Sequence, residues 1–146
     1  MDYKEWKRKN VTLRGVKNFS KSNSIYGSFG NGLYTVPLSN KSMAREYGKV
    51  YFVVNGKPKK PKIVYSLNEA ELFVQKLIND FCKKHGKEYS SNYFFKNTLI
   101  EKEAIKLGYD GLIIKSREIV NYKPKNILYF EQENELMKFY DDLEIS

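Results

Sequence analysis

The sequence predicts an α+β fold in one domain, and three observations carry that prediction. Short β-branched or aromatic stretches gather toward both ends of the chain, at 11–16, 32–36 and 50–54 and again at 111–114, 118–122 and 126–130. The clearest helical periodicity lies in the middle, from Ser66 to Gly86. No strand–helix–strand alternation repeats along the chain, which separates this pattern from a parallel βαβ succession. The 146 residues suit one domain, 1–146, enough to bury about two-thirds of the surface that the unfolded chain exposes.

Each element has a local reason. The first ten residues are polar and basic around Trp6 and read as a short helix or arm. Val11-Thr12-Leu13-Arg14-Gly15-Val16 alternates and is β-branched, so it reads as a strand ending at Gly15. Lys17 to Ser28, rich in Ser, Asn and Gly, is a loop. A strand follows near 32–36 and is stopped by Pro37. Ser39 or Asn40 then caps a short helix through Tyr47, with Gly48 just past its end. Val50 to Val54 is an apolar strand closed by the Asn55-Gly56 turn signal. Prolines keep Lys57-Pro58-Lys59-Lys60-Pro61-Lys62 out of a central strand and make it an exposed basic connection, before Ile63-Val64-Tyr65 resumes β character.

Ser66-Leu67-Asn68-Glu69 is a capping box, and beyond it Ala70, Phe73, Val74, Leu77, Ile78 and Phe81 recur at i, i+3, i+4 spacing. A looser region with Tyr89, Tyr93, Phe94 and Phe95 leads into a second helix at about 97–107. Ile100, Ala104 and Leu107 form its apolar side, and Gly108 ends it. Three short strands follow. The acidic stretch from Glu131 to Ser146 is expected to form one amphipathic turn or to fray.

Composition narrows the function classes. A single Cys82 excludes an internal disulfide framework, and one Cys with the one His85 cannot make a protein-only zinc site, so no metal is expected. No apolar run approaches the roughly 20 residues of a membrane span, and the charged N-terminus has no apolar signal core after it. The expectation is a cytoplasmic protein with no membrane partner. The net charge of +9, from 26 Lys+Arg against 17 Asp+Glu, attracts polyanions such as nucleic acid, a nucleotide or an acidic protein face.

Three polar residues sit at the edges of predicted β elements. Arg14 ends the first strand, Tyr34 begins the second behind Phe29-Gly30-Asn31-Gly32-Leu33, and Glu118 opens a late strand. A guanidinium holds a phosphate or ribose oxygen in a fixed fork, and a tyrosine ring offers a face to a planar heterocycle. A carboxylate beside a sugar stabilises an oxocarbenium-like transition state. Taken singly, Arg14 is an ordinary surface ion-pair residue, Tyr34 a core residue and Glu118 a solvated strand residue. Taken together, they match an enzyme that breaks an N-glycosidic bond.

The stretch Phe29-Gly30-Asn31-Gly32-Leu33-Tyr34-Thr35, followed by a short helix carrying Tyr47, resembles the nicotinamide-binding segment of ADP-ribosyltransferases of the diphtheria-toxin-like and poly(ADP-ribose) polymerase-like forms. Leu13-Arg14-Gly15 is similar to the first motif of that family. Gly108-Tyr109-Asp110-Gly111-Leu112-Ile113, then Glu118-Ile119-Val120 and Asn126-Ile127, is similar to its third, where a strand opens with the catalytic glutamate. The blocks stand in family order across about 11–130. The resemblance implies a split β-sheet core with helices between the strand groups, and NAD+ as co-substrate.

It also implies a role for each matched residue. Arg14 would bind a phosphate or ribose, the Gly15 backbone the carboxamide, and Tyr34 and Tyr47 the two faces of the nicotinamide. Gly32 would bring backbone close to the cofactor, Thr35 belongs to the same cofactor-binding stretch, and Glu118 would hold the ribose and stabilise the cation. The arginine matches the cholera-toxin-like class, whereas Gly32-Leu33-Tyr34-Thr35 matches the diphtheria-like class. Ala44 stands where polymerase-like members carry Ser. Ser116 stands where arginine-directed members carry Glu or Gln, so transfer to protein arginine is not implied.

The implied activity is mono-ADP-ribosylation of a host protein or nucleic acid, as a phage effector, anti-defence protein or toxin acting in the host cytoplasm. Two other readings compete with it. One is a catalytically inactive module of the same fold, and the other is a basic nucleic-acid-binding protein that uses its tyrosines for stacking.

Overall fold

A computed structural model of the protein describes residues 4–5, 10–17, 28–86 and 93–145. The Trp6 arm, most of the Lys17–Ser28 loop and Tyr89 lie outside the described residues. In chain order the elements are β1 (Val11–Val16), β2 (Leu33–Thr35), a 3-10 turn (Leu38–Asn40), α1 (Lys41–Glu46), β3 (Lys49–Val54), β4 (Pro61–Val64) and α2 (Leu67–His85). They continue with α3 (Tyr93–Lys106), β5 (Gly111–Ile114), β6 (Glu118–Asn121), β7 (Leu128–Phe130) and α4 (Glu133–Ile145).

The strands form two sheets, one ordered β1-β3-β7 and the other β2-β6-β5-β4, with helices interspersed. The fold is therefore α+β, as the segregated patterns predict. An antiparallel bridge joins the sheets: Leu13 and Val36 exchange N–H···O bonds of 2.9 and 2.8 Å. The largest core packs the apolar stripe of α2 (Val74, Leu77, Ile78) and Leu99, Ile100 and Ala104 of α3 against Leu112, Ile114 and Val120 of the second sheet. Among the described residues, no helix is long and apolar enough to cross a membrane.

Local signals hold where their causes are local. The Ser66 hydroxyl accepts from the Glu69 amide at 3.1 Å, and the Glu69 carboxylate reaches back to the Tyr65 amide at 3.0 Å. Gly86 closes α2 at φ 61, and Gly48 follows α1 at φ 132, both in the region that favours glycine.

Three expectations are corrected. The acidic C-terminal stretch is a 13-residue helix, because Leu136 and Tyr140 bury themselves against Val11 and Val54 of the first sheet. The second predicted helix starts at Tyr93, and Leu107 falls outside it, 63% exposed, since the turn at Gly108 rotates it away from the core. β4 begins at Pro61, on the sheet edge, where the missing proline N–H costs no ladder bond. The Asn55-Gly56 turn signal holds, with Asn55 at φ 66, and the turn carries the chain from β3 in one sheet toward β4 in the other.

Candidate functional site

The seam between the sheets sets the geometry. Thr35 pairs with Ile119 across β2 and β6, so Glu118 stands one step further, level with Val36. Val36 is bridged to Leu13, and Arg14 is the next residue along β1. Residues 104 positions apart in sequence are thereby brought to one place by register alone. A cavity of about 460 Å³ opens there, within the size range of roughly 300–1,000 Å³ usual for ligand sites. Arg14, Gly15, Tyr34, Thr35, Tyr47 and Glu118 all line it, and α2 adds Leu67 and Glu71.

Tyr34 is held by its own loop. Its hydroxyl accepts from the Phe29 amide at 3.0 Å and donates to the Gly30 carbonyl at 2.6 Å. The loop is anchored from the other side by Asn97, whose Oδ1 accepts from the Gly30 amide at 3.2 Å, and by the Tyr122 hydroxyl, which donates to the Phe29 carbonyl at 2.8 Å. The glycines serve this packing. Gly30 has φ 110, and a Cβ there would meet Ile100 and Tyr122 at 3.0 Å. At Gly32 a Cβ would lie 2.6 Å from the Asn121 carbonyl of β6. The absent side chain of Gly32 thus lets β2 approach β6, and Gly32 is not among the residues lining the cavity.

Gly15 does the same for α1. A Cβ there would sit 1.7 Å from the Ala44 carbonyl, so the absent side chain is what allows the helix onto β1. That contact delivers Tyr47 to the cavity rim, 55% exposed. Asn40 occupies the N-cap position of α1 but its side chain makes no cap bond. Its amide instead donates to the Ser116 carbonyl at 3.3 Å, tying α1 to the β5–β6 turn. In that turn Ser116 has φ 65 and the Arg117 amide donates to the Ile114 carbonyl at 3.0 Å, which places Glu118 at the strand opening.

The cavity is electrostatically mixed. Burial pushes the half-buried Glu118 carboxyl above its ordinary value, and the neighbouring Arg117 charge pulls it partly back. A cation brought beside Glu118 would favour its ionised form. Arg14 reaches over β3 and donates from Nη1 to the Tyr129 hydroxyl of β7 at 2.9 Å. That contact uses one of the five guanidinium donors. Thr35 is buried, and its hydroxyl finds no partner among the described residues.

Several lining or anchoring residues escape a sequence reading. Glu71 belongs to the exposed side of an amphipathic helix, which is how most such glutamates occur. Arg117 and Tyr129 sit in segments with no motif of their own. Asn97 carried a signal, being a polar residue one turn before Ile100 on the buried side of α3, where it is 1% exposed. Among the described residues, no group of three or more His, Cys, Asp or Glu is placed to hold a metal.

No family model matches the chain, and no curated protein matches it. Among solved structures, one described as the crystal structure of an anti-CRISPR protein is similar at 16% identity and a TM-score of 0.46, over 82% of this chain and 94% of that chain. A likeness that distant carries no functional argument.

Proposed function

We propose that the cavity at the sheet seam binds NAD+ and that Glu118 gives the chain mono-ADP-ribosyltransferase activity. One observation supports this reading above the rest: six residues from four separate segments, each matched to the family pattern in sequence, line a single cavity. The two-sheet core joined at Leu13–Val36 is compatible with the split sheet of ADP-ribosyltransferases. In the proposed reaction the nicotinamide–ribose C–N bond breaks and its electron pair leaves with nicotinamide. The ribosyl cation develops beside Glu118, whose negative charge is stabilising there. A nucleophile of the acceptor then bonds to the anomeric carbon and loses its proton.

A second reading, a binding module without turnover, has its own support. Arg14 is engaged by Tyr129, and burial disfavours the charged form of Glu118. Neither the family models nor the curated proteins add support for catalysis.

Calorimetry with NAD+ and an assay of nicotinamide release, on the wild type and on Glu118→Gln, separate the two. For the transferase, both chains bind and release falls by about 10²–10³-fold in the variant, the usual loss for one electrostatic group. Binding by both chains with release by neither identifies the module. Absence of NAD+ binding refutes the transferase.

A further inference from the structure

A second concavity, of about 570 Å³, shares no lining residue with the first. Two connections remote in sequence build it: the crossing from β3 to β4 and the link from β6 to β7. Each contributes two lysines, Lys57 with Lys59 and Lys123 with Lys125. Asp110 is the one carboxylate in the described lining. Its two oxygens accept from the main-chain amides of Lys59 at 2.9 Å and Lys60 at 2.7 Å, so it fixes the course of the lysine-bearing segment. Four ammonium groups against one carboxylate leave the wall strongly cationic.

The concavity is built rather than incidental. Asn55 and Asn126 both adopt left-handed backbone, with φ 66 and 55, and the Asn55 side-chain Nδ2 donates to the Asn126 carbonyl at 2.9 Å. Asn121 donates to the Gly56 carbonyl at 3.3 Å and accepts from the Lys123 amide at 3.0 Å. Pro58 packs so closely on β5 that a Cβ on Gly111 would lie 2.4 Å from it. The fold therefore fixes the course of both lysine-bearing segments around one concavity. Burial also lowers the Lys57 pKa, an effect that a bound anion opposes.

The chemistry of the wall selects the anion. Lysines supply point charges of the kind that hold phosphate oxygens. No aromatic side chain lines the concavity among the described residues, so base stacking is not its mode. We propose that this second concavity binds phosphate groups, presented by a nucleotide or by the backbone of a nucleic acid. The proposal stands independently of what the seam cavity binds.

The test uses the full chain, with a fluorescent DNA duplex followed by anisotropy and tripolyphosphate followed by calorimetry. Lys59→Gln/Lys125→Gln removes two exposed lysines from the wall, and Lys83→Gln/Lys84→Gln removes the same charge from the end of α2. Circular dichroism checks that both fold. Each duplex phosphate contact contributes about 0.9 to the slope of log K against log salt, so the wall variant should lose about 1.8 of that slope. Its low-salt affinity should fall on the order of tenfold, while the control changes by less than about twofold.

Tripolyphosphate affected in the same way marks a site open to free nucleotides, and an effect on the duplex alone marks a nucleic-acid site. Equal losses in the two variants, no loss in the wall variant, or no binding of either probe overturns the proposal. So does competition by a poly-glutamate peptide as strong as that of tripolyphosphate at matched charge.

Discussion

Replacing Tyr34 by Phe keeps the ring that would stack on a ligand and removes only one oxygen. That oxygen accepts from the Phe29 amide and donates to the Gly30 carbonyl, at 3.0 and 2.6 Å. Phe29 is 5% exposed and Gly30 is buried, so the substitution strands one donor and one acceptor. Each stranded group costs about 1–3 kcal/mol. Because Phe29 lines the seam cavity, water can reach part of this loop, which puts the total near the lower end, about 2 kcal/mol. For a chain of this size that corresponds to a Tm lower by about 4–8 °C. Thermal unfolding by circular dichroism reads the loss, and hydrogen exchange locates it at Phe29–Asn31. NAD+ affinity, measured on folded protein, should change far less than on Tyr34→Ala, because the stacking face survives. A Tm within about 1 °C of wild type, with unchanged exchange in that loop, would refute the anchoring role.

Two further predictions follow from the same seam. Gly15→Ala places a Cβ 1.7 Å from the Ala44 carbonyl and 3.2 Å from Tyr47 Cβ, so α1 must move off β1. The expected cost is about 1–3 kcal/mol, with faster exchange of the 44–48 amides and weaker NAD+ binding; unchanged exchange there would contradict it. Glu118→Gln bears on pH. Burial holds the Glu118 carboxyl above its ordinary 4.5, so the folded chain binds that proton more tightly than the unfolded chain does. Wild type should therefore lose stability relative to the variant as pH rises from the ordinary value through the raised one, with no change in the difference below that window. Tm–pH curves that stay parallel across the window would show that burial does not shift this group.

What could be read from sequence follows the range of each cause. The capping box, the glycine stop of α2 and the glycine after α1 were legible because donor, acceptor and φ lie within a few residues of one another. The glycine at 32 was legible as a close approach, but not that the backbone of Asn121 is what approaches it, and nothing local showed that Gly15 makes room for the Ala44 carbonyl. The C-terminal helix carried its signal in Leu136, Phe139 and Tyr140, yet its acidic composition obscured that spacing. The apolar partner that makes the spacing matter, Val11, lies at the opposite end of the chain.

The Arg14–Tyr129 contact spans 115 residues and had no sequence signal at all. It also shows how the site is divided. Arg14 and Tyr129 belong to the first sheet, Tyr34, Thr35 and Glu118 to the second, and the Leu13–Val36 bridge is where the two meet. The spacing between the guanidinium and the carboxylate is therefore set by packing between sheets rather than within either one. A substitution that loosens Leu13, Val36 or Ala44, which pack together beneath the seam, would alter the cavity without touching any residue that lines it with charge. Each sheet carries half of the candidate chemistry, and the small core under the bridge brings the halves into register.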